Sequence, residues 1–144
     1  MESRADMAKP RTIGDEDYQT LAAFRYALRR FLAFSERAAK AEGLTAQQHQ
    51  ALLAMKGYGQ DRPLAIGDLA EYLLLRHNSA VELVDRLVQA ELVERLHAEG
   101  DRRRVTLALT PKAEAILQDL STAHLEELRD SRTLLAQLLE RLGG

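Results

Sequence analysis

Residues 66–110 read IGDLAEYLLLRHNSAVELVDRLVQAELVERLHAEGDRRRVTLALT, and this stretch decides the fold. Within residues 79–90, Ala80, Val81, Val84, Leu87 and Val88 recur at helical spacing on one side, while Asn78, Ser79, Glu82, Arg86 and Gln89 fall on the other. The apolar side turns inward, so the polar side faces out. Ser79 followed by Glu82 predicts a capping box, with the helix opening at that serine. Upstream, Ile66, Leu69, Ala70 and Leu73 give a shorter helix with Asp68 in its first turn, where a carboxylate suits the helix dipole. Leu73-Leu74-Leu75 is expected to connect the two, packed under both. Downstream, Val105, Leu107 and Leu109 alternate with Arg104, Thr106 and Ala108, the period of a strand with one buried face. Leu92-Val93-Glu94-Arg95 begins the partner strand, and Gly100 with Asp101 supplies the turn. Two short helices followed by a hairpin make a winged helix-turn-helix: a mainly α chain with a small β-hairpin wing.

The wing carries Glu99-Gly100-Asp101-Arg102-Arg103-Arg104 at its expected tip. Three consecutive arginines repel one another and gain little by folding, so an anionic partner accounts for them best. Guanidinium groups match phosphate and a narrow minor groove better than ammonium groups do.

The run Leu83-Val84-Asp85-Arg86-Leu87, then Leu92-Val93-Glu94-Arg95, Asp101-Arg102-Arg103 and Leu107-Ala108-Leu109-Thr110, resembles the MarR (multiple antibiotic resistance regulator) family of transcription factors. The spacing Asp-x-Arg, five residues, Leu-Thr matches that family's wing signature at Asp101, Arg103, Leu109 and Thr110. The resemblance extends more weakly over residues 15–142. One departure stands out: where the family places a glycine after the recognition helix, this chain has Ala90-Glu91-Leu92. Glu91 then sits in a left-handed cap, at a cost of roughly 1 kcal/mol, or the helix ends differently.

The remaining helices follow from pattern. A helix over residues 15–41, stopped by Gly43, carries Leu21, Phe24, Leu28, Phe31 and Leu32 at spacings of three and four, with Tyr18 ahead and Phe34 beside. That is more apolar surface than one helix needs against a small domain, which points to a partner surface; full burial within one chain is the alternative. Thr45 and Gln48 form a second capping box, opening a helix that ends near Tyr58-Gly59, with Arg62-Pro63 in the loop beyond. After Thr110-Pro111, with proline at a first helical position, Ala115, Ile116, Leu120, Leu125 and Leu128 form one stripe. Leu134, Leu135, Leu138, Leu139 and Leu142 form another, with a break at Asp130-Ser131. In the resembled family the first and last helices pair in a homodimer. By that resemblance, residues 15–43 and 111–142 are dimerisation helices and residues 45–110 the winged helix-turn-helix, within one domain spanning residues 1–144. Residues 1–14 are a polar arm in which Lys9 and Arg11 are either DNA contacts or parts of an ordinary loose terminus.

Composition bounds the function. The chain has 144 residues, 46% of them hydrophobic, enough for one core. It contains no cysteine, which excludes disulfides, thiolate zinc sites and thiol redox sensing. No run approaches the ~20 apolar residues that span a bilayer, and the first residues lack a signal peptide's apolar core, so a cytoplasmic protein without membrane contact is expected. The net charge is −2, and residues 62–109 hold seven arginines against eight acidic residues. Positive charge is therefore local, at Arg102, Arg103 and Arg104 and at Arg76 with His77. Modest non-specific affinity for DNA follows.

Catalysis finds no footing: His49, His77, His97 and His124 are scattered, and no metalloprotease, nucleophile-elbow or phosphate-loop motif occurs. His124 with Glu127 has a metal-compatible spacing, but two ligands do not close a site, and a solvated pair is the commoner meaning. No cofactor is expected. Glu82 either accepts from a cytosine amino group or serves the capping box; Asp85 pairs with Arg86 or Arg95, with a structural role favoured.

The expected activity is sequence-specific binding of double-stranded DNA by a homodimer on a pseudo-palindromic operator, with half-sites about one helical turn apart. Arg86, Asn78 and Ser79 are the candidate base or phosphate contacts, joined by Arg76 and by His77 as a donor or a neutral helix-start residue. Arg103 is the candidate for minor-groove insertion, oriented by Asp101, with Arg102 and Arg104 on phosphates. The resemblance further implies repression relieved by a small apolar or aromatic ligand; Tyr18, Phe24, Tyr26 and His49 are candidates to line its pocket, and core packing explains them equally well. The alternatives are a winged-helix module that binds protein through its arginine tip, and a metal-responsive regulator resting on His124 and Glu127.

Overall fold

A computed structural model describes residues 12–98 and 101–143; the side chains of residues 98 and 101–103 fall outside the description. The chain order is α1 (Asp15–Ala41), α2 (Ala46–Tyr58), α3 (Ile66–Leu73), α4 (His77–Gln89), β1 (Val93–Ala98), β2 (Asp101–Leu109), α5 (Pro111–Asp130) and α6 (Arg132–Gly143). This is the expected mainly helical fold with a two-stranded antiparallel hairpin.

The ends of α1 have local causes. Asp17 reaches back to accept from the Gly14 N–H at 3.1 Å, and Asp15, Glu16 and Asp17 place negative charge at the positive end of the dipole. At the other end Gly43 takes a left-handed conformation at φ 80°, letting Gly43 N donate to Lys40 O and Leu44 N to Ala39 O. The capping box of α2 forms as expected: Thr45 Oγ1 accepts from Gln48 N at 3.1 Å, and Gln48 Oε1 from Thr45 N at 2.9 Å. Gly59 is the C-cap of α2, where a Cβ would lie 2.3 Å from the Met55 carbonyl oxygen, so that only glycine fits without a shift.

The largest fully buried side chains are Leu52, Leu69, Val84, Leu87, Leu92 and Val93. All belong to the segment from α2 to β1, so the core is centred beneath the helix-turn-helix. The long helices contribute little to it. On α1 only Ser35 and Ala39 are buried, and on α6 only Leu138. Leu21 remains 57% exposed and Leu139 69%. The α5 stripe differs from expectation: Ala113, Leu117 and Leu120 are the buried positions and Ala115 is exposed. Because Pro111 begins the helix, Ala113 in the first turn points at the core, and the face that follows from it excludes position 115.

The connector between α3 and α4 also departs from expectation. Leu74 is 91% exposed rather than packed, at φ 56°. Leu74 N donates to Glu71 O and Leu75 N to Ala70 O, the same pair of hydrogen bonds that ends α1. That left-handed turn throws Leu74 outward and brings Leu75 against the core. Glu91, at φ 61°, repeats the geometry after α4: its N–H donates to Val88 O and that of Leu92 to Leu87 O. The chain thus adopts the family's left-handed cap without the glycine. Among the described residues no helix is long and apolar enough to cross a membrane.

Candidate nucleic-acid interface

The polar face of α4 is built as its periodicity requires. Ala80, Leu83, Val84 and Leu87 are buried, and Asn78, Ser79, Glu82, Arg86 and Gln89 are exposed on the opposite side. Arg76 and His77 are exposed at its start. The capping box expected at Ser79 is absent: the N-cap lies three residues earlier, at Arg76, with no side chain accepting from the first-turn amides. The reason lies upstream, since the left-handed Leu74 and the inward Leu75 deliver the chain at residue 76 already turned for a helix. Ser79 and Glu82 are left as surface side chains. The first-turn N–H groups of α4 are likewise left to an external acceptor, at the positive end of its dipole.

The wing pairs Val93 with Leu109 through His97 with Val105, then Ala98 with Asp101, so Arg102 to Arg104 fall in the irregular register between the last two pairs. The second strand therefore begins at Asp101, within the expected six-residue tip, and residues 99–100 lie outside the described residues. Strand order already reaches the arginines, which sequence periodicity had stopped at Arg104. Arg104 is exposed. The side chains of Asp101, Arg102 and Arg103, and the arm residues Lys9 and Arg11, lie outside the described residues.

Two connections set the wing against the helix. Asp85 on α4 accepts a hydrogen bond from the Arg95 guanidinium on β1, which settles its partner as Arg95 and leaves Arg86 unpaired with it. Both side chains are substantially exposed, so the pair is worth at most about 1 kcal/mol, and its role is angular. The second connection was not legible beforehand: Leu107 N donates to Leu64 O at 2.9 Å, and Ala65 bridges Thr106. The residues just before α3 thus add a short third edge to the wing sheet.

The four candidate pocket residues separate. Tyr18 and Tyr26 are exposed on α1, and Arg30 lies over the Tyr26 ring at 5.8 Å. Phe24 lines a cavity of about 160 Å³ between α1, α5 and α6, with Leu28, Phe31, Leu128 and Leu134. His49 lies elsewhere, 3% exposed, with its ring 4.8 Å from that of His124. Burial holds its imidazole below the ordinary pKa of 6.5, and the neighbouring His124 adds to the shift. His124 itself is engaged at both nitrogens. Nδ1 donates to the Leu120 carbonyl, which can only accept, at 2.6 Å, and Nε2 lies 2.8 Å from Ser35 Oγ. The pairing of His124 with Glu127 has no third partner: no group of three metal-ligating side chains occurs among the described residues.

An outward polar helix, a preceding helix packed across it, and a hairpin tied to both define a winged helix-turn-helix protein. The model for the MarR family matches residues 42–104, the span from the end of α1 into the arginine strand. The transcriptional regulator YsmB of Bacillus subtilis is 39% identical over 67 residues, 46% of this chain and 46% of its own length. AbsC of Streptomyces coelicolor, a MarR family transcriptional regulator, superposes with a TM-score of 0.70 at 20% identity, covering 93% of this chain and 96% of AbsC. A mutant of Staphylococcus aureus MepR bound to an oligodeoxyribonucleotide superposes with a TM-score of 0.67 at 19% identity, covering 88% and 96%. The helix-turn-helix and wing of this chain are thus similar to those of MarR-family transcriptional regulators. The chain spans about half the length of the curated relatives it matches.

Proposed function

We propose that this protein is a sequence-specific double-stranded-DNA-binding regulator of transcription, acting as a homodimer. The observation that carries the reading is the outward face of α4, where Asn78, Ser79, Arg86 and Gln89 are exposed while Ala80, Leu83, Val84 and Leu87 opposite them are buried. A helix with that division presents base-reading side chains to a major groove. The exposed Arg76 and the uncapped first-turn amides are suited to a phosphate on the groove's edge. Arg103 is assigned to the minor groove and Arg102 and Arg104 to phosphates, as the strand's alternation predicts. The DNA-bound state of the MepR mutant supports the same use of the fold.

The homodimer rests on the apolar side chains that α1, α5 and α6 leave exposed, among them Leu21, Phe24, Leu28, Leu125, Leu139 and Leu142. A monomer seldom leaves so much apolar surface on adjoining helices. Two-fold pairing through these helices repeats α4 on one side of the dimer, which predicts a pseudo-palindromic operator. A small apolar effector that changes the separation of the two α4 helices would relieve repression; the cavity beside Phe24 supports that part of the reading. The experiment is selection of bound duplexes from the fragmented source genome. Enrichment of an inverted-repeat sequence over random duplex supports the proposal, and equal retention of all duplexes overturns it in favour of a protein-binding wing.

A further inference from the structure

The turn that follows α4 is not left to solvent. Three successive carbonyls there, of Ala90, Glu91 and Leu92, each accept from the residues that start α5. Lys112 Nζ donates to Ala90 O at 3.1 Å, Thr110 Oγ1 to Glu91 O at 2.7 Å, and Thr110 N to Leu92 O at 3.1 Å. The same Thr110 oxygen accepts from Ala113 N at 3.2 Å, capping α5. One hydroxyl therefore joins the end of the exposed-faced helix to the beginning of another, in a place only 9% exposed to water. The Lys112 ammonium adds positive charge at the negative end of the α4 dipole.

We propose that Thr110 and Lys112 are positioning residues for the DNA-reading helix, fixing its tilt to the axis of α5. The inference rests on the reading of α4 as that helix. Apolar burial holds α4 to the core through Ala80, Leu83, Val84 and Leu87, but such packing has little directional preference, so rotation and tilt need directional bonds. The Asp85–Arg95 pair supplies one on the wing side. The carbonyl clamp supplies three on the α5 side, across a turn whose left-handed Glu91 offers its carbonyl to Thr110. Because α5 also bears Leu125 and Leu128, exposed on its far half, its placement against a second subunit is transmitted through the clamp to α4. Helix α4, the base of the wing and the first turn of α5 then move as one body.

The test uses the full chain, a labelled duplex selected from the source genome, and a random duplex of equal length. Thr110→Val keeps the side chain's shape but neither donates nor accepts. It should weaken binding to the selected duplex by about tenfold, the size of one lost base contact, with random-duplex binding and self-association within about twofold. Thr110→Ser should restore the affinity. Lys112→Met, at an exposed position that cannot unfold the core, should give about a threefold loss, one solvent-exposed bond being weaker than the buried pair. Selected-duplex affinity unchanged in both Thr110→Val and Lys112→Met overturns the proposal, whatever they do to the unfolding midpoint. If the wild-type chain selects no duplex, it is the reading of α4 that fails. The clamp is then judged by amide exchange over residues 86–92: about tenfold faster in Thr110→Val and restored in Thr110→Ser supports it, and no change overturns it.

Discussion

Three helices of this protein end in the same pair of hydrogen bonds, yet the residue in the left-handed position is Gly43, Leu74 or Glu91. A side chain in that conformation costs about 1–2 kcal/mol through the clash of Cβ with the following carbonyl oxygen. Glycine avoids the clash but loses about 0.5–1 kcal/mol more chain entropy on folding. The difference predicts that Leu74→Gly and Glu91→Gly each stabilise the fold by about 0.5–1 kcal/mol. Neither change removes packing, since Leu74 is almost fully exposed and the Glu91 side chain is exposed too. The Glu91 carbonyl that accepts from Thr110 is untouched. The control runs the other way. A Cβ on Gly43 would meet no atom within 4 Å, so Gly43→Ala carries only the conformational penalty and should destabilise by about 1 kcal/mol. The Leu74 and Glu91 turns share no hydrogen-bonding partner, so the double variant should gain about 1–2 kcal/mol, or about 3–6 °C in Tm by calorimetry. A Leu74→Gly protein less stable than wild type, or a Gly43→Ala protein of unchanged Tm, would refute the reasoning.

Arg86→Ala and Arg103→Ala should each weaken selected-duplex binding by about 1–3 kcal/mol in a fluorescence titration, and an unchanged isotherm removes that residue from the reading surface. His49 has a lowered folded-state pKa, so its contribution to stability is present above 6.5 and lost as pH falls from 6.5 toward the folded value. The drop in urea midpoint between about pH 7.5 and about pH 5 should therefore be smaller in His49→Leu than in wild type, and equal drops would count against burial as the cause. Leu139→Glu places a charge on the exposed apolar face of α6; sedimentation should find a lighter species with an unchanged circular dichroism spectrum, and an unaltered sedimentation coefficient would locate the pairing surface elsewhere.

What the residues determined without help is whatever depends on near neighbours. The bounds of α1, the Thr45–Gln48 capping box, the proline start of α5 and the break at Ser131 follow from side chains within four positions of the backbone groups they satisfy. The division of α4 into a buried and an exposed face is equally local, because 3.6-residue periodicity is carried by the sequence itself. Ser79 with Glu82 was a false local signal: it satisfies the pattern of a helix start, but the turn at Leu74 had already begun the helix. Tertiary structure alone chose Arg95 over Arg86 as the partner of Asp85, set Leu64 beside Leu107, and laid Thr110 on the carbonyl of Glu91. Those contacts join residues 10, 43 and 19 positions apart. Hydrogen-bonding capacity shows which side chains can bond, while the partner is decided by the buried core that folds distant segments together.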